Sequence, residues 1–151
     1  SEVVNADSLE YKKVLITAAR TYAYYYLTQR ERYPNEPFDL RNISADQLYK
    51  GYGYESRSNN LPQAVEETRG EIITYQDKPI VAAYSSDSGG TTKSACSVWG
   101  GRYCEAGYEY LRGGVSDPAS TEHSQAKISA SHGVGMSAAG ARVMIDRGSS
   151  Y

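Results

Sequence analysis

The chain has 151 residues and a formal net charge of −2 at pH 7. That length suits one domain with one hydrophobic core, and a domain of this size folds without a metal or a partner. The charge excludes an overall basic footprint for nucleic acid, and no apolar run in the sequence approaches the roughly 20 residues of a membrane span. Tyrosine is over-represented, with 15 residues against one Phe and one Trp, and its ring suits sugar stacking as well as core packing.

A long helix is predicted near the start of the chain. Asp7 is the predicted N-cap, and Glu10 follows at the spacing of a capping box. The helix should end near Arg30, because Tyr33-Pro34 disfavours its continuation. Residues that recur at three- and four-residue steps predict one buried stripe: Tyr11, Leu15, Ala18, Tyr22 and Tyr25.

A second face of this helix carries Lys13, Thr17, Arg20 and Tyr24 at the same spacing. A single acidic residue, Glu2, precedes the helix in a short apolar lead-in. If the second face points at a cleft, its two cations can hold an anionic or polyhydroxyl ligand beside Glu2. The alternative is an amphipathic helix with solvated cations, and periodicity alone favours that alternative.

The middle of the chain predicts short elements. A short helix is expected over residues 63–68, between Pro62 and Gly70. Residues 72–75 and 79–85 are predicted to form the two strands of a β-hairpin, since turn-forming residues separate them.

A glycine-rich loop, residues 86–92, follows the hairpin. In isolation, its Asp87-Ser88-Gly89-Gly90 run is similar to the nucleophile loop of trypsin-like serine proteases. Such a protease has its His before the Ser, whereas His123 and His132 both follow here, and its two barrels need a longer chain. The glycines instead let backbone amides approach a ligand closely, or they form a plain connection between a strand and a helix.

Cys96 and Cys104 are the only two cysteines in the sequence. A metal site needs more ligands than these, and both histidines lie far along the chain, so the spacing favours a disulfide. A disulfide would imply an oxidising compartment. Closing so short a loop would stabilise the fold by roughly 2–3 kcal/mol in the chain-entropy model.

Near the C-terminus, glycines lie close to His132 in the run Ser131-His132-Gly133-Val134-Gly135. They predict a tight, exposed loop that presents the imidazole, although a lone His is more often structural. Ser137 is then expected to cap a final helix that runs to Arg147. The elements together predict an α+β fold. They would form a single compact domain over residues 1–151, with the long N-terminal helix packed against the hairpin or an antiparallel sheet.

Six short motifs follow one another along the chain: Ala18-Ala19-Arg20-Thr21-Tyr22, Gln47-Leu48-Tyr49-Lys50-Gly51-Tyr52, Ala64-Val65-Glu66-Glu67-Thr68-Arg69-Gly70, Ser86-Asp87-Ser88-Gly89-Gly90-Thr91-Thr92, Val98-Trp99-Gly100 and His132-Gly133-Val134-Gly135-Met136-Ser137. In this order they resemble the stage II sporulation protein D (SpoIID) and amidase-enhancer family of bacterial cell-wall proteins. In that family a catalytic Glu precedes the first motif by a fixed interval, which places Glu2 on that position.

The chain departs from the family pattern at three places. Ser1-Glu2-Val3-Val4 replaces Gly-Glu-Met-Pro, and Ala138-Ala139 replaces Gln-Tyr. Some relatives carry zinc-binding Cys and His just before the second motif, but residues 41–46 have neither, so no zinc and no other cofactor is predicted. Because the chain starts within a motif, we expect a mature or trimmed fragment of a longer exported protein.

The resemblance implies a peptidoglycan lytic transglycosylase, which cleaves the β-1,4 bond after N-acetylmuramic acid (MurNAc) without water and leaves a 1,6-anhydro ring. Glu2 would act as general acid and then as general base. By motif position, the implied substrate-binding residues are Lys13, Arg20, Tyr22, Gln47, Tyr49, Ser88, Gly89, Gly90, Thr92 and His132. The implied location is extracytoplasmic, in the cell envelope, the periplasm or the secreted fraction.

Two alternatives belong to other classes. The chain could be a non-catalytic module that binds glycan strands and stimulates an N-acetylmuramoyl-L-alanine amidase, as the amidase-enhancer part of the family name suggests. It could also be a hydrolase that uses Ser88 or Cys96 as its nucleophile. The first alternative keeps the glycan-binding surfaces and has no need of a neutral Glu2.

Overall fold

A computed structural model describes residues 7–55, 57–119 and 125–151. Glu2, the predicted catalytic residue, lies outside the described residues. The described residues form helices and two-stranded sheets, so the predicted α+β class is confirmed. They divide into an N-terminal unit, which runs to Val81 and includes Tyr151, and a C-terminal unit from Ala82 to Ser150.

In the N-terminal unit, the described elements are helices α1 (Leu9–Thr28), α2 (Tyr52–Glu55) and α3 (Leu61–Glu67) and strands β1 (Thr74–Tyr75) and β2 (Lys78–Pro79). In the C-terminal unit they are β3 (Tyr84–Ser85), α4 (Ala95–Trp99), two 3₁₀ helices (Gly101–Cys104 and Glu109–Leu111), α5 (Gln125–Ser129), β4 (Met136–Ser137) and α6 (Ala138–Asp146). Each helix in the described ranges is too short or too polar to cross a bilayer.

Helix α1 is capped one residue later than predicted. Ser8 is its N-cap, because the Ser8 hydroxyl oxygen accepts a hydrogen bond from the Tyr11 backbone N–H at 3.3 Å. The prediction of Asp7 as the cap was therefore wrong, and Asp7 is buried. Glu10, expected to complete a capping box, instead pairs with Lys13 at 2.8 Å.

One side of α1 supplies much of the core of the N-terminal unit. Of the predicted stripe, Tyr22 is only half-buried, and the neighbouring Tyr26 is buried in its place. The Tyr26 ring packs edge-on against Tyr22 and Tyr25, with centroids 4.9 and 5.2 Å away. The other stripe residues are buried as predicted: Tyr11, Leu15, Ala18 and Tyr25.

Helix α1 packs on α3 and on β2, so the predicted packing of the N-terminal helix on a hairpin is confirmed. Strands β1 and β2 are antiparallel and join through Gln76-Asp77, where both residues have positive φ angles of 51° and 60°. This is the geometry of a type I′ turn, whose twist matches that of paired strands. The second predicted strand, residues 79–85, was wrong as one element, because Tyr84–Ser85 forms a separate strand of the C-terminal unit.

In the C-terminal unit, β3 and β4 pair in parallel, with Tyr84 opposite Met136 and Ser85 opposite Ser137. Val134, which is fully buried, forms a further parallel bridge with Lys93. Ser137 caps α6 as predicted, since its hydroxyl oxygen accepts a hydrogen bond from the Gly140 backbone N–H at 3.1 Å.

The predicted disulfide between Cys96 and Cys104 is confirmed, with the two Cα atoms 4.6 Å apart. It connects α4 to the end of the first 3₁₀ helix. The turn between them is tight, since Gly100 and Gly101 both have positive φ angles, of 62° and 55°. The covalent bond therefore holds a short segment whose glycines already favour the bend.

Candidate functional site

The residues predicted to bind substrate fall into two groups, one in each unit. The N-terminal group is Lys13, Arg20, Tyr22, Gln47 and Tyr49, and the C-terminal group is Ser88, Gly89, Gly90, Thr92 and His132. Each group is built from contacts inside its own unit.

Arg20 ties helix α1 to the end of helix α3. Its guanidinium donates hydrogen bonds to the backbone oxygens of Thr68 and Glu71 at 2.5 and 3.1 Å, and to the Thr68 hydroxyl at 3.1 Å. Thr68 is the C-cap of α3 and is fully buried. Carbonyls at a helix end have no partner within the helix, and a cation also suits the negative end of the helix dipole. Arg20 therefore stabilises the fold, whatever else it binds.

Lys13 is buried between two carboxylates. Its ammonium lies 2.8 Å from Glu10 and 2.7 Å from Glu67, and it also lies 4.9 Å from the centre of the Tyr151 ring. The hydrogen bonds to Glu10 and then Glu67 raise the pKa of Lys13 well above its ordinary value. An ammonium neutralised in this way is a weaker anchor for an anionic ligand than the sequence pattern suggests.

The remaining predicted residues of the N-terminal group are Tyr22, Gln47 and Tyr49. The Tyr22 hydroxyl accepts a hydrogen bond from Arg32 at 3.0 Å, and the Gln47 side chain donates to the Ala19 carbonyl of α1 at 2.8 Å. Tyr49 is 53% exposed. The Tyr49 ring is therefore more open to solvent than the half-buried Tyr22 ring.

Residues 41–46, the stretch where some relatives are expected to carry zinc ligands, contain Asp46, which forms an ion pair with Arg32. Arg32 contacts Asp46 at 2.6 Å, and the Tyr33 hydroxyl donates to the same carboxylate at 2.8 Å. These contacts hold the loop to the segment that follows α1. Among the described residues, no group of three or more His, Cys, Asp or Glu side chains is placed to hold a metal ion. That the protein uses no zinc stays a prediction.

The Ser88-Gly89-Gly90 loop is held by Asp117. The buried Ser88 hydroxyl donates to the buried Asp117 carboxylate at 2.5 Å, and the Asp117 backbone N–H donates to the Gly90 carbonyl at 2.9 Å. Gly89 and Gly90 have φ angles of +72° and +104°, which side-chain-bearing residues rarely adopt. Gly89 is exposed, so the loop offers backbone more readily than the Ser88 hydroxyl.

These contacts argue against the hydrolase alternative. Cys96 is part of a disulfide and cannot supply a thiolate. A serine nucleophile needs a base within hydrogen-bond reach, usually an imidazole, but the Ser88 hydroxyl points to a carboxylate.

Thr92 belongs to the backbone ladder beside this loop. Its backbone N–H donates to Val115 at 2.9 Å, and its hydroxyl oxygen accepts from the Val115 N–H at 3.0 Å. Its own carbonyl accepts a hydrogen bond from Gly114 at 2.8 Å. Thr92 thus holds the segment around Gly114 and Val115 by backbone and side-chain hydrogen bonds.

His132 is partly buried in a turn of its own. Its Nδ1 accepts a hydrogen bond from the Val134 backbone N–H at 3.0 Å, and its ring centre lies 5.0 Å from that of Trp99. Burial lowers the pKa of His132, and the nearby Lys93 ammonium lowers it further, while a backbone hydrogen bond with Tyr84 raises it. An Nδ1 that accepts a hydrogen bond must be unprotonated, so the same geometry favours the neutral imidazole.

This environment predicts a pH-dependent stability. Because the folded protein lowers the pKa of His132, the unfolded chain binds more protons just below pH 6.5, and His132 costs stability as the pH falls from that value. His132→Asn keeps an acceptor for the Val134 N–H but does not titrate. We expect the free energy of unfolding, measured in urea by circular dichroism, to fall less between pH 7.5 and 5.5 in the variant than in the parent. Parallel losses in the two proteins would contradict the assignment.

Two residues of this region were missed from the sequence. Asp117 holds the Ser88 loop, but it lies in a polar, weakly patterned segment that gives no signal for a buried carboxylate. The sequence marks Trp99 only as part of a motif, because its contact with His132 depends on the tertiary fold. The Asp117-Pro118 pair marks a turn but does not indicate which loop it supports.

Two loops rich in glycine, one carrying Ser88 and one carrying His132, thus flank a small parallel sheet in the C-terminal unit, while α1 carries the arginine motif in the other unit. Comparison with known proteins identifies a family through the first half of the chain. A model of the SpoIID family, described as "Stage II sporulation protein", matches residues 1–75. The chain belongs to the SpoIID and amidase-enhancer family.

Three relatives illustrate the match. The amidase enhancer of Bacillus subtilis is 37% identical over 99 residues, which cover 66% of this chain and 12% of the relative. An uncharacterised protein of Brachyspira hyodysenteriae is 38% identical over 92 residues, 61% of this chain and 24% of the relative. Stage II sporulation protein D of Bacillus subtilis is 39% identical over 49 residues, 32% of this chain and 14% of the relative. The matched regions are thus less than a quarter of each relative's length.

Proposed function

We propose that this chain is a peptidoglycan lytic transglycosylase that cleaves the MurNAc–GlcNAc β-1,4 bond, with Glu2 as general acid and base. The observation that carries the proposal is the family match over residues 1–75, because that range contains both Glu2 and the arginine motif of α1. The resemblance places Glu2 at the family's interval from that motif.

The proposed reaction needs one carboxyl group. The protonated Glu2 gives its proton to the glycosidic oxygen as the bond from MurNAc C1 breaks, which releases the GlcNAc hydroxyl. The resulting carboxylate then takes the proton of the MurNAc C6 hydroxyl while O6 bonds to C1. The products are an anhydro ring and a regenerated carboxylic acid, and no water is consumed. A hydrolytic glycosidase would generally need a second carboxylate to act as nucleophile or to activate water.

The described residues have supporting roles in this proposal. The exposed Gly89 backbone is suited to hold an acetamido group, because a glycine lets a ligand approach the main chain closely. His132 can contribute its ring to a sugar contact, because its imidazole already hydrogen-bonds the backbone at Val134 and Tyr84. Arg20 holds the end of α3 against α1, so its main contribution is to keep these two helices together.

The second candidate function is that of a non-catalytic glycan-binding module that enhances an N-acetylmuramoyl-L-alanine amidase. One observation favours it: the relative with 37% identity is named an amidase enhancer. This function uses the same glycan-binding loops, and it adds an amidase as a partner. It makes no demand on the protonation of Glu2.

An extracytoplasmic location is part of the proposal under both functions. Peptidoglycan lies outside the cytoplasmic membrane, and the Cys96–Cys104 disulfide is typical of an oxidising compartment.

Mass spectrometry of glycan strands separates the two functions. Incubation of peptide-free strands with the protein should yield fragments that end in 1,6-anhydro-MurNAc, each lighter by one water than a hydrolysed end. Hydrolysed ends would contradict the one-carboxyl reaction. Unchanged strands that nevertheless bind the protein would favour the amidase-enhancing module.

A further inference from the structure

We propose that Trp99 and the tyrosines beside it form a saccharide-binding subsite next to His132, lying on the disulfide-braced segment of the C-terminal unit. This inference rests on the proposed function, since it names a further place where the glycan is held. The segment runs from Ser94 to Arg112 and contains the disulfide and both 3₁₀ helices. No motif from the sequence analysis assigns it a ligand.

The first observation is a continuous row of aromatic rings that starts at His132. Trp99 lies between His132 and Tyr103, with ring centres 5.0 Å from each. Tyr108 continues the row at 5.2 Å from Tyr103, and Tyr110 follows at 6.1 Å. The aromatic rings thus extend from His132, a residue of the predicted site, as far as Tyr110.

The second observation is a cavity at the side of this row. An open cavity of about 300 Å³ is lined by Tyr103, Tyr108, Glu109, Arg112 and the disulfide, among others. Its size lies at the lower end of the range for small-ligand sites. Tyr103 and Tyr108 belong both to the ring row and to the cavity, so a ligand on the row would extend into the cavity.

The third observation is the balance of polar groups around the rings. The segment has two acidic residues, Glu105 and Glu109, and two arginines, Arg102 and Arg112, so it is neutral overall. Both Glu109 oxygens accept a hydrogen bond from the Gly107 N–H at 3.0 Å, which lowers the pKa of Glu109 and keeps it an acceptor. The segment thus offers acceptors, donors and ring faces together.

This combination fits a pyranose ring better than other ligands. A sugar has an apolar face of C–H groups and an edge of hydroxyls, which aromatic faces and charged side chains satisfy together. A strongly anionic ligand would meet two carboxylates, and a purely apolar ligand would remove water from charged side chains without replacing its hydrogen bonds. A β-1,4-linked amino-sugar strand held at His132 can therefore continue over Trp99 towards Tyr108.

The segment is also rigid enough to present its rings before a ligand binds. The disulfide closes residues 96–104 of the segment. Within that loop, the backbone N–H groups of Gly100 and Tyr103 donate to the carbonyl oxygens of Cys96 and Gly100 at 2.9 and 3.2 Å. Side chains held in place lose less freedom on binding, which favours affinity.

Trp99 is the only tryptophan in the chain, so its fluorescence reports on the proposed subsite directly. The probe is a soluble, peptide-free tetrasaccharide of alternating GlcNAc and MurNAc, titrated into the Glu2→Gln protein so that the strand stays intact. Calorimetry on the same samples measures binding independently. We expect the Trp99 emission to change in a saturable way, with the same midpoint as the heat signal, and acrylamide to quench the bound protein less than the free protein.

Substitution of Trp99 provides a second test of the subsite. Trp99→Ala should weaken calorimetric binding by about tenfold, as expected for the loss of one well-packed aromatic contact. Val98→Ala is the matched control, because Val98 lies on the same helix with 38% exposure against 39% for Trp99. It should leave the affinity unchanged. An equal loss of affinity in both variants would show a general effect on helix α4 and would overturn the subsite.

The outcomes separate the subsite from the proposed function. Binding heat without any change in Trp99 emission or quenching would overturn the subsite and leave glycan recognition standing. Absence of both signals would overturn the subsite together with the proposed function. If Trp99 is shielded only when a cell-wall amidase is added, and not by the glycan, the surface docks a protein and the saccharide proposal is wrong.

Discussion

Glu2→Gln should lower the rate at which anhydro-ended fragments appear by about 10²–10⁴-fold, the usual contribution of a general acid–base group. Gln keeps the shape of the side chain and can donate a hydrogen bond, but it can neither give a proton to the leaving oxygen nor accept one from the C6 hydroxyl. The measurement is the initial rate of anhydro product release from peptide-free strands, followed by mass spectrometry.

The substitution should change the rate and leave binding intact. Other residues, on the Ser88 loop and at His132, are proposed to hold the glycan, so the affinity measured by calorimetry should stay within about twofold of the parent. Glu36→Gln provides a control for the chemical change itself, because Glu36 is an exposed loop residue of the N-terminal unit. An unchanged rate in Glu2→Gln would show that the catalytic assignment is wrong.

Arg20 is a poorer test of the site than the sequence pattern suggests. The motif marks it as a ligand-binding cation, but its guanidinium donates to the Thr68 and Glu71 carbonyls. A change in activity on Arg20→Ala would therefore combine lost binding with a loosened helix α3. Glu2, whose substitution by Gln conserves shape, gives the cleaner comparison.

Patterns of local spacing predicted the long helix, the position of the hairpin, the disulfide and the cap of α6. Each of these depends on residues close together in the chain, such as the Ser137 hydroxyl and the Gly140 N–H. The pairing of β3 with β4 was not predicted, because two-residue strands carry no alternation and their partners lie far apart in the sequence. The same holds for Asp117, whose partner Ser88 is 29 residues away.

The roles of polar residues depend on the tertiary fold, because a sequence shows a charge but not what faces it. Lys13 has the spacing of a ligand-binding face, yet Glu67 approaches it from another helix. The Ser88 hydroxyl has the position of a ligand contact, yet it donates to a buried carboxylate. Whether these residues bind substrate stays a prediction. What the structure adds is that both already have partners in the fold.

Gly135, in the His132 loop, also has a structural role that its motif does not reveal. Gly135 has a φ angle of +74°, and a Cβ added there would overlap the carbonyl group of Ala83, with only 2.7 Å to its carbon. That carbonyl accepts the hydrogen bond from the Met136 N–H at 3.0 Å, beside the pairing of β3 with β4. Gly135 is therefore required by the close approach of two protein segments, whether or not a ligand is present.

Gly135→Ala should accordingly destabilise the C-terminal unit by more than about 3 kcal/mol, since it combines an unfavourable φ angle with steric overlap at the parallel strands. Gly114→Ala isolates the first effect, because Gly114 has a similar φ of +79° and nothing within 4 Å of the added Cβ. The control should cost only about 1–2 kcal/mol. Urea unfolding followed by circular dichroism gives both values, and failure of Gly135→Ala to fold while Gly114→Ala folds also agrees with the expectation. Equal unfolding midpoints in the two variants would show that Ala83 moves aside at little cost, and that the glycine is kept for another reason.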